Sequence, residues 1–172
     1  TYSCDDLRYF GLFAPLYALR TNRGNGGPTY SDFERLLRWA DERRGTVATL
    51  PLLAGFYDEL FDASPYRPLS RRSFNDLYLD WRSLPELASC NEALALADSR
   101  NFRETGQALA SSGTMDYRAA WQHSHRILSL LSEHAWGSDV RRAELETFAE
   151  KSPELFDYAR FRATTATRRN QS

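Results

Sequence analysis

GLFAPLYAL (Gly11–Leu19), RTNRGNGGPTY (Arg20–Tyr30), SDFERLLRWADERRG (Ser31–Gly45) and TVATLPLLAGF (Thr46–Phe56) follow one another without a break, and their reading decides the fold. The first and last are continuous apolar runs, the pattern of strands covered on both faces. The second is dense in Gly and Asn with one Pro, which makes it a loop. The third is the clearest helix: Phe33, Leu36, Leu37 and Ala40 recur at helical spacing, and Ser31 or Asp32 can cap the first turn. Arg43 and Arg44 suit the negative end of its dipole, and Gly45 can take the left-handed stop. Strand, loop, helix and strand within about 45 residues predict a βαβ unit with parallel strands and a right-handed crossover.

Downstream, Tyr57–Asp76 reads as a long loop carrying Pro65 and Pro68, a length that is usually functional or disordered in a compact fold. LYLDW (Leu77–Trp81) predicts a further small strand. Beyond it the strand pattern stops. Ser83–Ser99 is helix-like at its centre, and Asn101–Thr114 is polar and weakly patterned. Met115–Gly137 predicts a strong helix capped by Asp116, with Tyr117, Ala120, Trp121, Ser124, Leu128, Leu131 and Ala135 along one stripe. Asp139–Lys151 predicts another, and a last one starts with Ser152 as cap and Pro153 at its first position. Two parallel strands and one crossover helix cannot form a sheet covered on both faces. The chain therefore reads as the opening stretch of a larger α/β domain, followed by helices that interrupt it.

Composition narrows the function. The 172 residues carry 22 Lys+Arg against 23 Asp+Glu, a net charge of −1, which excludes nucleic-acid binding by bulk electrostatics. No apolar run approaches the ~18–20 residues of a membrane helix, and TYSCDDLRYF lacks the basic and apolar regions of a secretory signal. Cys4 and Cys90 read as two cytosolic thiols, and the expected location is cytoplasmic. The Gly24–Gly27 loop lacks the spacing of nucleotide loops. His123 and His125 point ~200° apart on a helix and cannot share an ion. With His134 they read as solvated positions, so no metal and no cofactor is expected. No G-x-S-x-G is present. Asp58, Glu59 and Asp62 read as a solvated acidic loop, and Arg71 and Arg72 as solvated or paired with a carboxylate.

One family is similar over most of the chain, from about Gly11 to Ala163. GLFAPLYALRT, the Gly-rich loop and SDFERLLRWA resemble the first strand, loop and helix of amylomaltase-type 4-α-glucanotransferases, the disproportionating enzymes. LPLLAGF resembles their second barrel strand. Ser64-Pro65-Tyr66, then Ser70 to Asn75, then Leu77-Tyr78-Leu79-Asp80 is similar to the family's SPY…N-x-L-Y-L-D block, the most specific part of the match. Asp116-Tyr117 and Leu155-Phe156-Asp157-Tyr158-Ala159-x-Phe161-x-Ala163 resemble the helical insertion that follows.

The resemblance implies an α/β fold: the N-terminal part of a (β/α)8 TIM-type barrel over residues 1–82, then a mainly helical insertion subdomain over 83–172. It implies a retaining enzyme that cleaves α-1,4-glucans and transfers the glucan to another sugar's 4-hydroxyl. Retention uses two carboxyl groups about 5–5.5 Å apart, one of them held protonated by its surroundings. The family's catalytic carboxylates lie on later barrel strands, so no catalytic residue is carried over and the chain alone is expected to be inactive. Its partners would be an α-1,4-glucan or maltooligosaccharide and the remainder of the barrel, with neither nucleic acid nor membrane. Tyr66 matches a tyrosine beside the substrate groove, where a ring stacks on a glucose face. Ser64 precedes it; Ala63 separates Ser64 from Asp62, a departure from the family's Gly-Asp step. Asn75 either contacts sugar or holds the turn. Asp80 is expected to bind a backbone amide. Tyr17, at the C-terminal end of the first strand, lies on the face where barrel active sites gather. An α-amylase-type hydrolase and a non-catalytic helical interaction or carbohydrate-binding module are the alternatives.

Overall fold

A computed structural model describes residues 9–20, 26–49, 53–55, 66 and 68–169, the last four by backbone alone. β1 (Phe10–Phe13) and β2 (Gly45–Ala48) pair in parallel, with α1 (Tyr30–Asp41) as the connection between them. The predicted βαβ order and strand direction hold, but each strand has only four residues. The ladder runs from Phe10 opposite Gly45 to Phe13 opposite Ala48, and the Ala14 N–H donates to the Ala48 carbonyl at 3.0 Å. Pro15 has no N–H to continue it, and Leu16–Ala18 turns into a 3-10 helix. Leu53, expected in the second strand, instead bridges antiparallel to Phe74.

The expectation of strands buried on both faces fails. Phe10 and Phe13 are exposed at 39% and 58%, and along β1 only Leu12 is half-buried. Apolar strands need cover on two sides, and the described part of the chain supplies α1, which packs against β2.

The cap of α1 is Thr29, not Ser31 or Asp32. Its hydroxyl accepts the Asp32 N–H at 3.3 Å, while the Asp32 carboxylate accepts the Thr29 N–H at 2.9 Å, a reciprocal capping box. The left-handed residue after the helix is Arg44 (φ 59°), not Gly45. Gly45 is reserved for a different reason. It faces Phe10 in the ladder, and a side-chain carbon there would run into the Phe10 ring.

Leu77–Trp81 is not a strand. Three 3-10 turns, Asp76–Tyr78, Trp81–Ser83 and Pro85–Ala88, occupy this region. The side chains of Asn75 and Asp80 each accept an N–H two residues on, from Leu77 at 3.1 Å and Arg82 at 3.2 Å. These local bonds offer the backbone an alternative to a ladder. Asp80 thus binds a backbone amide, as expected, in a turn rather than at a strand end.

Five helices follow: α2 (Asn91–Asp98), α3 (Arg100–Ser111), α4 (Tyr117–Gly137), α5 (Asp139–Lys151) and α6 (Pro153–Arg169). The predicted α4, α5 and α6 are present, and Asp116 caps α4 by accepting the Ala119 N–H at 2.9 Å. α3 falls on the stretch read as weakly patterned. It buries only Phe102 and Gly106 and is started by Ser99, whose hydroxyl accepts the Phe102 N–H. Its inward residues, Phe102, Gly106, Leu109 and Ala110, do recur at helical spacing, but a glycine, a poor helix former, sits in that line.

Two apolar clusters form the core. Leu16, Leu77, Tyr78 and Ala120 make one; Trp81, Cys90, Ala93, Phe102, Ile127 and Leu131 make the other. α4 contributes to both, through Ala120 and through Ile127 and Leu131. Its buried face also holds His123 and Ser124, and Ile127 rather than Leu128. The reading of His123 as solvated is therefore wrong. The ring is 3% exposed and stacks on Phe102 with centroids 3.9 Å apart. α5 is tied to the 3-10 turns by Arg141, which pairs with the buried Glu86 carboxylate at 2.6 Å.

Candidate functional site

The 3-10 turn that Pro15 initiates carries Tyr17 off the C-terminal end of β1. The Tyr17 and Tyr66 hydroxyls lie 3.4 Å apart, joining the strand end to the loop across 49 positions of sequence. This separation is long for two hydroxyls, so the pair is loosely held and open to a third polar group. Tyr66 is 61% exposed, and Tyr17 is half-buried. The Tyr66 hydroxyl bond, followed by loss of water, raises the Tyr17 pKa above its ordinary value. Tyr117 adds to that rise, and its own phenol is pushed up by burial, with Arg20 acting in the opposite direction. With their pKa values raised, the Tyr17 and Tyr117 phenols keep their protons near pH 7, able to donate and to accept. Arg20 donates to the Gly113 carbonyl at 3.1 Å, which ties the end of this strand segment to the turn before α4.

Ser64, Asp62, Asp58 and Glu59 lie outside the described residues. Asn75 is 5% exposed and its amide oxygen braces the turn, so its described role is to hold backbone.

The block from Asn75 to Asp80 is held from three helices, and here the sequence reading missed the residues that matter. From α1, the Tyr30 hydroxyl donates to the Asn75 carbonyl at 2.9 Å. Burial, with the nearby Asp76 charge, pushes that phenol up to about 12. From α4, the Trp121 indole N–H reaches Asp76 Oδ2 at 3.5 Å. From α6, Arg162 Nη2 reaches the same oxygen at 3.4 Å, while Nη1 donates to the Gly55 carbonyl at 3.3 Å and the Tyr158 hydroxyl at 3.0 Å. Arg162 occupies an unassigned position between Phe161 and Ala163 of the terminal block. One arginine among the four of α6 carries no sequence signal of a partner 86 residues away.

The remaining charged groups have local roles. Arg72 pairs with Glu154, one of the two outcomes expected for it. His125 stacks on Trp121 at 4.5 Å, and lost hydration lowers its pKa. His134 Nε2 meets the Ser89 hydroxyl at 2.9 Å. His123 and His125 thus stack on different partners, Phe102 and Trp121.

These parts define a mixed α/β protein, mostly helical, with aromatic hydroxyls gathered where a parallel strand pair ends. The family described as 4-alpha-glucanotransferase matches residues 14–172, and the chain belongs to that family, whose fold is of the TIM-barrel type. Curated relatives from Mycobacterium bovis and from two strains of Mycobacterium tuberculosis (CDC 1551 and H37Rv) are named 4-alpha-glucanotransferase and are 30% identical over 134 residues. The match covers 72% of this chain and 18% of each relative.

Proposed function

We propose that this chain forms the N-terminal part of a (β/α)8 barrel enzyme, with residues 83–172 as its helical insertion. The enzyme cleaves α-1,4-glucans with retention and transfers the glucan to the 4-hydroxyl of another sugar, in the cytoplasm. Tyr66 and Tyr17, with Ser64, form one wall of the glucan groove, and Asn75 positions the adjoining turn. The observation that carries this reading is the meeting of the Tyr17 and Tyr66 hydroxyls, 3.4 Å apart, within a chain matched by the 4-alpha-glucanotransferase family over residues 14–172. The exposed apolar face of β1 supports it too, since a parallel sheet of two strands calls for further strands and helices to cover it.

In this mechanism the chain binds and orients. A tyrosine ring offers a sugar its apolar face, and its hydroxyl exchanges hydrogen bonds with the sugar's own. The carboxylates that form and resolve the covalent glycosyl intermediate belong to polypeptide outside this chain. Two measurements test the proposal. The 172-residue chain incubated with maltotriose should yield neither longer nor shorter oligosaccharides by chromatography, and turnover would refute the placement of the carboxylates. In the enzyme that carries the chain, Tyr66→Ala should weaken glucan use with the fold intact; unchanged kinetics would remove Tyr66 from the groove.

A further inference from the structure

The stretch of chain that carries Tyr66 springs from a two-legged stem. Leu53, Ala54 and Gly55 form the outgoing leg, and Leu69 to Asp76 form the returning one. Leu53 bridges antiparallel to Phe74. The Ala54 N–H donates to the Ser73 carbonyl at 2.9 Å, and the Ala54 carbonyl accepts the Leu69 N–H at 2.8 Å. These bonds fix the legs to each other. Contacts from the helices set where the stem stands, and one side chain of α6 touches both legs. We propose that Arg162 is a positioning residue for glucan binding: its guanidinium spans the stem, so that the helical region sets the place of Tyr66. The inference rests on the glucan reading above and deepens it by giving α6 a part in binding.

The geometry is that of a crossbar. Arg162 Nη1 donates to the Gly55 carbonyl at 3.3 Å on the outgoing leg, and Nη2 reaches Asp76 Oδ2 at 3.4 Å on the returning leg. A guanidinium is planar and rigid, so holding both nitrogens fixes the separation of the two acceptors. Tyr158, one turn earlier on α6, accepts from Nη1 at 3.0 Å and steadies the fork from its own helix. The Arg162 side chain is 19% exposed, so water competes little for these bonds, while their length keeps each one modest. Gly55, Asp76, Tyr158 and Arg162 all belong to this chain, and their contacts do not depend on what covers its surface. A stem released from α6 would misplace Tyr66 against the sugar in the ground state and the transition state alike. Such a loss raises KM and leaves kcat nearly unchanged. Lysine in place of Arg162 keeps the charge but offers one compact ammonium, which cannot span two legs.

The experiment measures KM and kcat on maltotriose for the enzyme that carries the chain, with amide hydrogen exchange at Leu69. The variants are Arg162→Lys, Arg162→Ala, Tyr66→Ala, the double variant Tyr66→Ala with Arg162→Lys, and Arg141→Ala. The last is a control for a purely structural arginine, since Arg141 ties α5 to the 3-10 turns through the buried Glu86. Both Arg162 variants should raise KM about three- to tenfold, the worth of one ordinary hydrogen bond, and should speed exchange at Leu69. The KM rise should vanish when Arg162→Lys is added to Tyr66→Ala, because coupled positions are not additive. Arg141→Ala should lower stability with KM unmoved. Where Arg162→Ala folds poorly, Arg162→Lys still reads the fork. Unchanged KM in Arg162→Lys, an equal rise in Arg141→Ala, or full additivity in the double variant overturns the inference. Parent kinetics in Tyr66→Ala would sink the groove reading and this inference with it, whereas unchanged Leu69 exchange in Arg162→Lys would remove the crossbar and leave the groove reading standing.

Discussion

Replacing His123 by Leu should abolish a pH dependence of stability that the buried imidazole imposes on the helical region. The ring is 3% exposed, stacked on Phe102, and lies beside Gly26. Among the described residues neither ring nitrogen has a hydrogen-bond partner. Loss of water, then the charges of Arg126 and Arg82, push its pKa down to about 4. The unfolded value is ~6.5. Between those limits the unfolded chain binds a proton that the folded chain refuses, so stability falls as pH is lowered from about 6.5 toward 4 and is fully present above that window. Integrating the linkage from pH 7 to pH 5 gives a loss of about 2 kcal/mol attributable to this one group. Leucine has similar bulk and no nitrogen to leave unpaired, so at pH 7 the substitution should be neutral or stabilising. Urea unfolding of both proteins at pH 7 and pH 5 measures the effect. The parent should lose about 2 kcal/mol more than His123→Leu across that interval. A parallel NMR titration should place the His123 Cε1 midpoint near 4. Identical pH dependence in the two proteins, or a midpoint near the ordinary histidine value, would refute the reasoning.

Arg162→Ala should cost about 1–3 kcal/mol, because it strips Asp76 of a charge-assisted bond while Asp76 Oδ1 lies buried without a partner among the described residues. Chemical unfolding reads the loss, and faster hydrogen exchange at Leu77 and Tyr78 should localise it to the turn that α6 holds. Asp32→Ala removes one half of the capping box and a partner of Arg35, and should lower stability by about 1 kcal/mol. A change under a few tenths in unfolding free energy would show that water replaces the cap.

What the sequence revealed and what it concealed divide along physical lines. α4 and α1 announce themselves because each carries apolar residues at helical spacing and begins beside a polar cap, information confined to a few neighbouring residues. The direction of the strand pair was equally legible, since strand, crossover helix and strand in one short span leave little alternative. Leu77–Trp81 misled because an apolar run is common to a buried strand and a buried turn. The difference was made by Asn75 and Asp80, which bind the backbone locally. α3 stayed hidden because its inward line, Phe102, Gly106 and Leu109, runs through a glycine, a poor helix former, among polar residues. The SPY-to-LYLD block singled out Tyr66, the residue proposed above for the groove. Nothing in the chain order pointed to the Trp121 and Arg162 contacts with Asp76, formed by side chains 45 and 86 residues away.

Local chemistry and family membership, both carried by residue identity and spacing, were thus settled by the sequence itself. The tertiary structure alone decided which side chains meet: Tyr17 with Tyr66, His123 with Phe102 away from water, and Arg72 with Glu154 beside an exposed Phe74. Hydrogen bonds and stacking act over a few ångströms, and sequence separation says nothing about that distance until the chain has folded.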